Sequence, residues 1–257
     1  MSQTETTRWL HRLNSAGPDA ALLVCLPHAG GSATFFRPLA RAVSPLLDVV
    51  GVQYPGRQER RSEPLIDNID DLAEQLAGVL TGWADRPMTL FGHSMGATIA
   101  FEVAGKLQHE RAVTVTGLIA SGRRAPSTHR DDETVHLRDD AGLLAELQAL
   151  NGTHASLLAD PELQQMILPV ARNDYKAIEM YRYRPGAKLR CPITVLVGDS
   201  DPKVSLQEAR AWAEHTDRPS DVRTFAGGHF YLTEQFAQVC AVITATVSEF
   251  SQTSAVR

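Results

Sequence analysis

Gly92-His93-Ser94-Met95-Gly96 constrains this chain more than any other segment. It reads G-x-S-x-G, with the apolar run Met88–Phe91 before it and a helical stretch, Ala97–Ala104, after it. Strand, serine and helix in that order make the pattern a nucleophile elbow. Such a turn is so tight that flanking side chains would collide, so glycine is needed two residues either side of the serine. The Ser94 hydroxyl then stands exposed above a sheet, at the positive end of a helix dipole. In isolation the pentapeptide arises by chance in many chains; its flanks give it meaning.

The same strand-then-helix rhythm runs through the rest of the chain. Short apolar, β-branched runs predict strands at Ala21–Pro27, Val49–Gln53, Met88–Gly92, Val115–Ser121, Ile193–Gly198 and Val222–Phe225. Helical spacing is found at Phe35–Val43, Ile69–Trp83, Ala97–Gln108, Leu206–His215 and Thr233–Phe250. This alternation predicts an α/β fold, a mostly parallel central sheet flanked by helices on both faces. Ligands of such sheets bind beyond the carboxyl ends of the strands. One segment breaks the rhythm. From Pro126 to Tyr183 there is a polar run (Ser127–Glu133), a helix (Asp140–Leu150), an Asn151-Gly152 stop and a longer helix from Pro161. Asp160 before Pro161 and Glu162 in the first turn are N-terminal helix signals. The length exceeds what a crossover needs. Residues from about 126 to 185 are therefore expected to form a helical lid inserted into a single domain spanning 1–257, with ordinary crossover helices as the plainer alternative.

Composition narrows the function classes. A chain of 257 residues, 43% hydrophobic and 21% charged, is an ordinary globular protein with room for a substantial core. A net charge of −5 argues against nucleic acid as a main partner. No apolar run approaches a membrane span, and Met1–Thr7 is polar and unlike a secretion signal, so a cytoplasmic location is the default. The three cysteines, Cys25, Cys191 and Cys240, lack metal-ligand spacing, and Cys25 and Cys191 read as small core residues. With no phosphate loop and no clustered ligand set, neither a cofactor nor a metal is expected. A monomer is the default oligomeric state.

A serine hydroxyl becomes a useful nucleophile only when a base takes its proton. In α/β-hydrolase order the acid and then the histidine follow the serine. Val195–Pro202 ends a late strand and offers two carboxylates, Asp199 and Asp201. Asp201 is the better candidate, because the loop needs room to turn inward after Gly198 and Pro202 stiffens its far side. A turn aspartate capping the helix near Ser205 is the plainer alternative for either. The histidine should follow the last strand, where Phe225-Ala226-Gly227-Gly228-His229-Phe230 supplies His229. His11, His109, His129, His136, His154 and His215 fall on helical or polar stretches and read as surface residues, while His93 must point away from the serine. The oxyanion of a tetrahedral intermediate needs aimed donors. The Met95 amide is one; the Ala29 amide, in Pro27-His28-Ala29-Gly30-Gly31 after the first strong strand, is the other.

With these residues in one register, the chain resembles the type II thioesterases, free-standing editing enzymes of polyketide and nonribosomal peptide synthases. The resemblance rests on Pro27–Ser32, Tyr54-Pro55-Gly56-Arg57-Gln58-Glu59-Arg60, Gly92–Ala97 and Ser121-Gly122-Arg123-Arg124-Ala125-Pro126. It continues through Pro169-Val170-Ala171-Arg172-Asn173-Asp174-Tyr175, Tyr181-Arg182-Tyr183, Gly198–Pro202 and Gly227–Phe230. It implies an α/β-hydrolase fold and an acyl group held as a thioester on the phosphopantetheine arm of an acyl or peptidyl carrier protein. It also implies hydrolysis that clears aberrant or stalled units. Carrier surfaces are usually acidic, so Arg57, Arg60, Arg61, Arg123 and Arg124 form a candidate docking rim, with solvated loop arginines or internal ion pairs as the alternative. A general carboxylesterase or lipase on the same scaffold is the nearest rival, and a non-catalytic hydrolase-fold binder a more distant one.

Overall fold

The computed structural model describes residues 8–17, 19–150 and 160–255. The Asn151-Gly152 stop and His154 lie outside them. Seven strands form one sheet: β1 (Leu10–Arg12), β2 (Ala21–Leu26), β3 (Leu47–Val52), β4 (Met88–His93), β5 (Val115–Ser121), β6 (Ile193–Gly198) and β7 (Ser220–Phe225). Their spatial order is β1-β3-β2-β4-β5-β6-β7. Every neighbouring pair is parallel except β1 and β3. All six expected strands are present. The seventh, β1, was not expected: three residues carry no readable alternation, and the strand exists because Leu10 pairs with Val52 at the sheet edge.

Side-chain alternation along β2 shows how the sheet makes two cores. Leu22, Val24 and Leu26 point to one face, where α2 (Ile69–Thr81) and α3 (Met95–Glu110) pack. Leu23 and Cys25 point to the other, against α1 (Arg37–Val43) and the C-terminal helix. Burial on both faces is why these strands read as nearly continuous apolar runs. In α2, Leu72, Leu76 and Leu80 recur at four-residue spacing on the buried side, and the Asn68 side chain caps the first turn by accepting from Asp71 N.

Among the described residues, the segment between β5 and β6 carries the helices α4 (Asp140–Ala149) and α5 (Pro161–Met180). Asp160 caps α5 by accepting from Glu162 N, and Pro161 occupies a position whose N–H would be idle. The two helices share a small third core of Val135, Leu143, Leu147, Leu168, Ala171 and Tyr175. After β6 comes a short helix, α6 (Leu206–Arg210), opened by a Ser205–Glu208 capping box and continued by a 3-10 turn to His215. The single C-terminal helix expected from sequence is two: α7 (Tyr231–Glu234) and α8 (Phe236–Ala255). Among the described residues no helix is long and apolar enough to cross a membrane.

Candidate active site

β4 ends one residue before Ser94, and α3 begins one residue after it. The chain reverses there with Ser94 at φ 56° and ψ −120°, a conformation that costs an L-residue about 1–3 kcal/mol. Two things hold it. Ser94 N donates to Ser121 O at the end of β5, 2.8 Å away. The two glycines allow the backbones to touch: a Cβ on Gly92 would lie 2.2 Å from Gly96 O, and one on Gly96 would lie 2.1 Å from Leu26 O.

The loops after β6 and β7 bring two more groups to the serine. His229 Nε2 lies 2.9 Å from Ser94 Oγ. Its Nδ1 lies 3.0 and 2.9 Å from the two carboxylate oxygens of buried Asp201. An ionised carboxylate only accepts, so Nδ1 carries the proton and Nε2 is left to accept from the serine hydroxyl. Asp201 Oδ1 also accepts from Lys203 N, which fixes the carboxylate plane. Asp199 is exposed and turned elsewhere: it accepts from Gly227 N and Ser200 Oγ, tying the two loops together. Those donors, Gly227 first, hold its carboxyl below the usual range. Of the two carboxylates, Asp201 is the one that meets the histidine.

Neutral imidazoles pack around His229. His93 is fully buried, 5.2 Å from it between ring centroids, with Nδ1 joined to Ser121 Oγ and through that hydroxyl to Tyr231 OH. His28 sits edge-on to Phe35 and Phe230. Burial, reinforced by the charges of His229 and Arg57, pushes the His28 pKa down to about 3. Burial likewise drives His93 well below its ordinary value. Both stay uncharged beside His229, so neither repels an imidazolium there.

Neither Ala29 N–H nor Met95 N–H has a backbone or side-chain acceptor among the described residues outside helix and strand ladders. Ala29, Ser94 and His229 open onto one cavity, whose apolar walls include Leu147 of α4 and Tyr175 and Ile178 of α5. Arg123 also lines it, half-buried and without a side-chain hydrogen bond among the described residues. Desolvation, and then the like charge of Arg124, lowers its pKa to about 9.

The arginine rim needs correction. Arg57 is buried and pairs with Asp174 of α5. Arg60 is buried against the Trp9 ring and bonds Glu63 and Gln53 O. Arg124 is buried in a two-bond pair with Glu133. Only Arg61 is exposed. Two histidines also depart from the surface assignment. His215 is buried among Phe101, Tyr183 and Trp212, and His136 pairs with Glu179. The Arg57–Asp174 pair and the His93–Ser121–Tyr231 chain were missed by motif reasoning; their partners come from segments 117 and 110 residues apart. Their one sequence signal was the family-like stretches around Arg57, Ser121 and Asp174.

Known proteins resemble this chain over most of its length. A family model described as "Thioesterase domain" matches residues 21–247. The chain is 48% identical over 90% of its length to a Streptomyces griseus protein named "Probable cadicidin biosynthesis thioesterase", of whose length it spans 64%. It is 46% identical to "Thioesterase PikA5" of Streptomyces venezuelae, covering 90% of this chain and 83% of that one. Among solved structures, the type II thioesterase BorB from the borrelidin biosynthetic cluster superposes with a TM-score of 0.87 at 51% identity. That match covers 93% of this chain and 97% of the other. The chain belongs to the thioesterase family.

Proposed function

We propose that this chain hydrolyses acyl thioesters carried on the phosphopantetheine arm of acyl or peptidyl carrier proteins, clearing stalled units from polyketide or nonribosomal peptide synthases. The observation that carries the chemistry is the Ser94 Oγ–His229 Nε2 contact of 2.9 Å, with Asp201 behind the ring. The carrier-bound substrate is supported by the thioesterase relatives from such pathways.

In this reading His229 Nε2 takes the Ser94 proton as Oγ attacks the thioester carbonyl carbon. Asp201 orients the imidazole and stabilises the imidazolium without itself taking a proton. The charge that develops on the carbonyl oxygen meets the Ala29 and Met95 N–H groups. Collapse breaks the C–S bond, and the imidazolium proton goes to the departing sulfur, releasing the arm as a free thiol. Acyl-Ser94 remains. His229 then takes a proton from water, whose oxygen attacks the ester carbon; return of that proton to Ser94 releases the carboxylic acid. The α4–α5 segment serves as a lid over the acyl group and limits water near the intermediate. The site is read as working without a metal or cofactor.

The test is intact-protein mass spectrometry of carrier proteins loaded with short, branched or long acyl groups, with p-nitrophenyl butyrate run beside them. The expected result is loss of acyl mass with the native enzyme and none above background with Ser94→Ala. Equal loss with the variant, or turnover of the ester alone, overturns the reading.

A further inference from the structure

We propose that Asp174, on helix α5, is a positioning residue for the oxyanion donor Ala29: it holds the neighbouring Gly30 amide, and Arg57 holds Asp174 in turn. This rests on Ala29 N–H being an oxyanion donor, the role given to it above.

The loop that presents Ala29 is a four-residue turn. Gly31 N donates back to His28 O at 2.9 Å, so Ala29 and Gly30 are its two central residues. Gly30 has φ +75°, the value the second central residue of a type II turn adopts. A type I turn would close the same hydrogen bond with the central peptide rotated by about half a turn. Local geometry therefore leaves two orientations open for the peptide joining Ala29 to Gly30. The structure selects one of them with a contact from far along the chain. Gly30 N donates to Asp174 Oδ2 at 2.7 Å, across 144 residues. In the other orientation the Ala29 carbonyl, an acceptor, would face that carboxylate.

The surroundings make this anchor stiff. Asp174 is fully buried, so its charge is balanced close by, and Arg57 Nη2 donates to the same Oδ2. Arg57 is fixed by a second bond, Nη1 to Pro55 O at 2.6 Å, and by its place over the Tyr54 ring. Tyr54 OH donates to Pro27 O at the root of the turn. Ala171, one helical turn before Asp174, is small enough to let the turn sit against α5: a Cβ on Gly30 would stand 3.6 Å from the Ala171 Cβ. The pair also settles the electrostatics. A lone carboxylate beside Gly30 would oppose charge developing at the Ala29 amide, and the guanidinium cancels it. The Tyr-Pro-Gly-Arg and Arg-Asn-Asp-Tyr stretches, which no catalytic step uses directly, thereby acquire one shared task.

The test compares native enzyme with Asp174→Ala, Asp174→Asn and the double variant Arg57→Met/Asp174→Leu. Removing both buried charges together spares the fold the cost of an unpaired one, so the double variant separates positioning from folding. Steady-state hydrolysis of p-nitrophenyl butyrate gives kcat and KM; inhibition by an alkyl trifluoromethyl ketone, which adds to the serine as a tetrahedral oxyanion, reads the donors directly. Expected for the double variant are a kcat lowered 10- to 100-fold, a Ki for the ketone raised by a similar factor and a KM within about two-fold. Asp174→Asn, which keeps an acceptor for Gly30 N, should retain more kcat than Asp174→Ala. A folded double variant with native kcat and Ki overturns the proposal, as does a rise in KM with kcat unchanged. If native turnover or ketone binding does not depend on Ser94, the functional reading fails instead, and Ser94→Ala in the same assay tells the two apart.

Discussion

Replacing Gly96 with alanine tests the elbow at its tightest point. The new Cβ would lie 2.1 Å from Leu26 O and 2.7 Å from Pro27 O, the last carbonyls before the His28–Gly31 turn. Neither obstacle is a flexible side-chain tip; both are backbone, one of them at the end of a central strand. Carbon and oxygen do not sit that close, so α3 and the end of β2 must separate by roughly 1 Å. Overpacking of this kind costs about 1–3 kcal/mol. In a chain of this size that is roughly 2–4 °C of Tm per kcal/mol. The effect on rate should be larger than the effect on stability. Met95 N–H moves with α3 and Ala29 N–H with β2, so the separation spreads the two proposed oxyanion donors apart. A misplacement of about 1 Å, or the loss of one donor, costs on the order of 100-fold in kcat. Gly105, on the same helix, is the control: a Cβ there meets nothing within 4 Å. Gly105→Ala should leave kcat unchanged and stabilise by about 0.5–1 kcal/mol through helix propensity alone. Calorimetric Tm and steady-state thioester hydrolysis measure both. A Gly96→Ala enzyme with native kcat would refute the claim that the Gly96 contact sets the donor geometry.

Two further outcomes follow from buried charge. Arg124→Met strands the Glu133 carboxylate and should cost about 3 kcal/mol in urea unfolding, the low end for a broken buried pair because Glu133 keeps some contact with water. Arg61→Glu, on an exposed side chain, should change stability by no more than about 0.5 kcal/mol; a loss under 1 kcal/mol for Arg124→Met would show that the pair is not holding its loop. His28 gives a pH signature. Its folded pKa, about 3, lies below the unfolded value, so the unfolded chain binds the extra proton. The contribution is intact above pH 6.5 and is lost as pH falls toward 3. Between pH 7.5 and pH 5 the native chain should therefore lose about 2 kcal/mol more unfolding free energy than His28→Phe, and identical pH slopes for the two would contradict the buried neutral imidazole.

Much of this protein was legible without tertiary information because the decisive signals are local. A buried parallel strand is a short apolar run wherever it occurs, and a tight strand-to-helix turn demands glycine at fixed offsets. All six strands of the parallel sheet were therefore readable, as were the turn at Ser94 and the loops that carry Asp201 and His229. The edge strand β1 was not readable, since three residues hold no period and its identity comes from pairing with Val52. The α7–α8 break was equally hidden, because amphipathic spacing continues across it.

Charge was the least legible property. An arginine in a loop looks alike in sequence whether it faces water or a carboxylate 117 residues away, as Arg57 does. His215 reads as a polar surface residue until Phe101, Tyr183 and Trp212 close around it. The choice of Asp201 over Asp199 likewise needed the loop to be folded, since two residues of backbone decide which carboxylate reaches the imidazole. By itself, the sequence determined the sheet, the serine elbow and the order in which acid and histidine follow, because backbone sterics and periodicity act over a few residues. Only the tertiary structure decided which charges are spent inside the protein and what holds the Ala29 turn, because burial and Coulomb pairing depend on distance in space and not on distance along the chain.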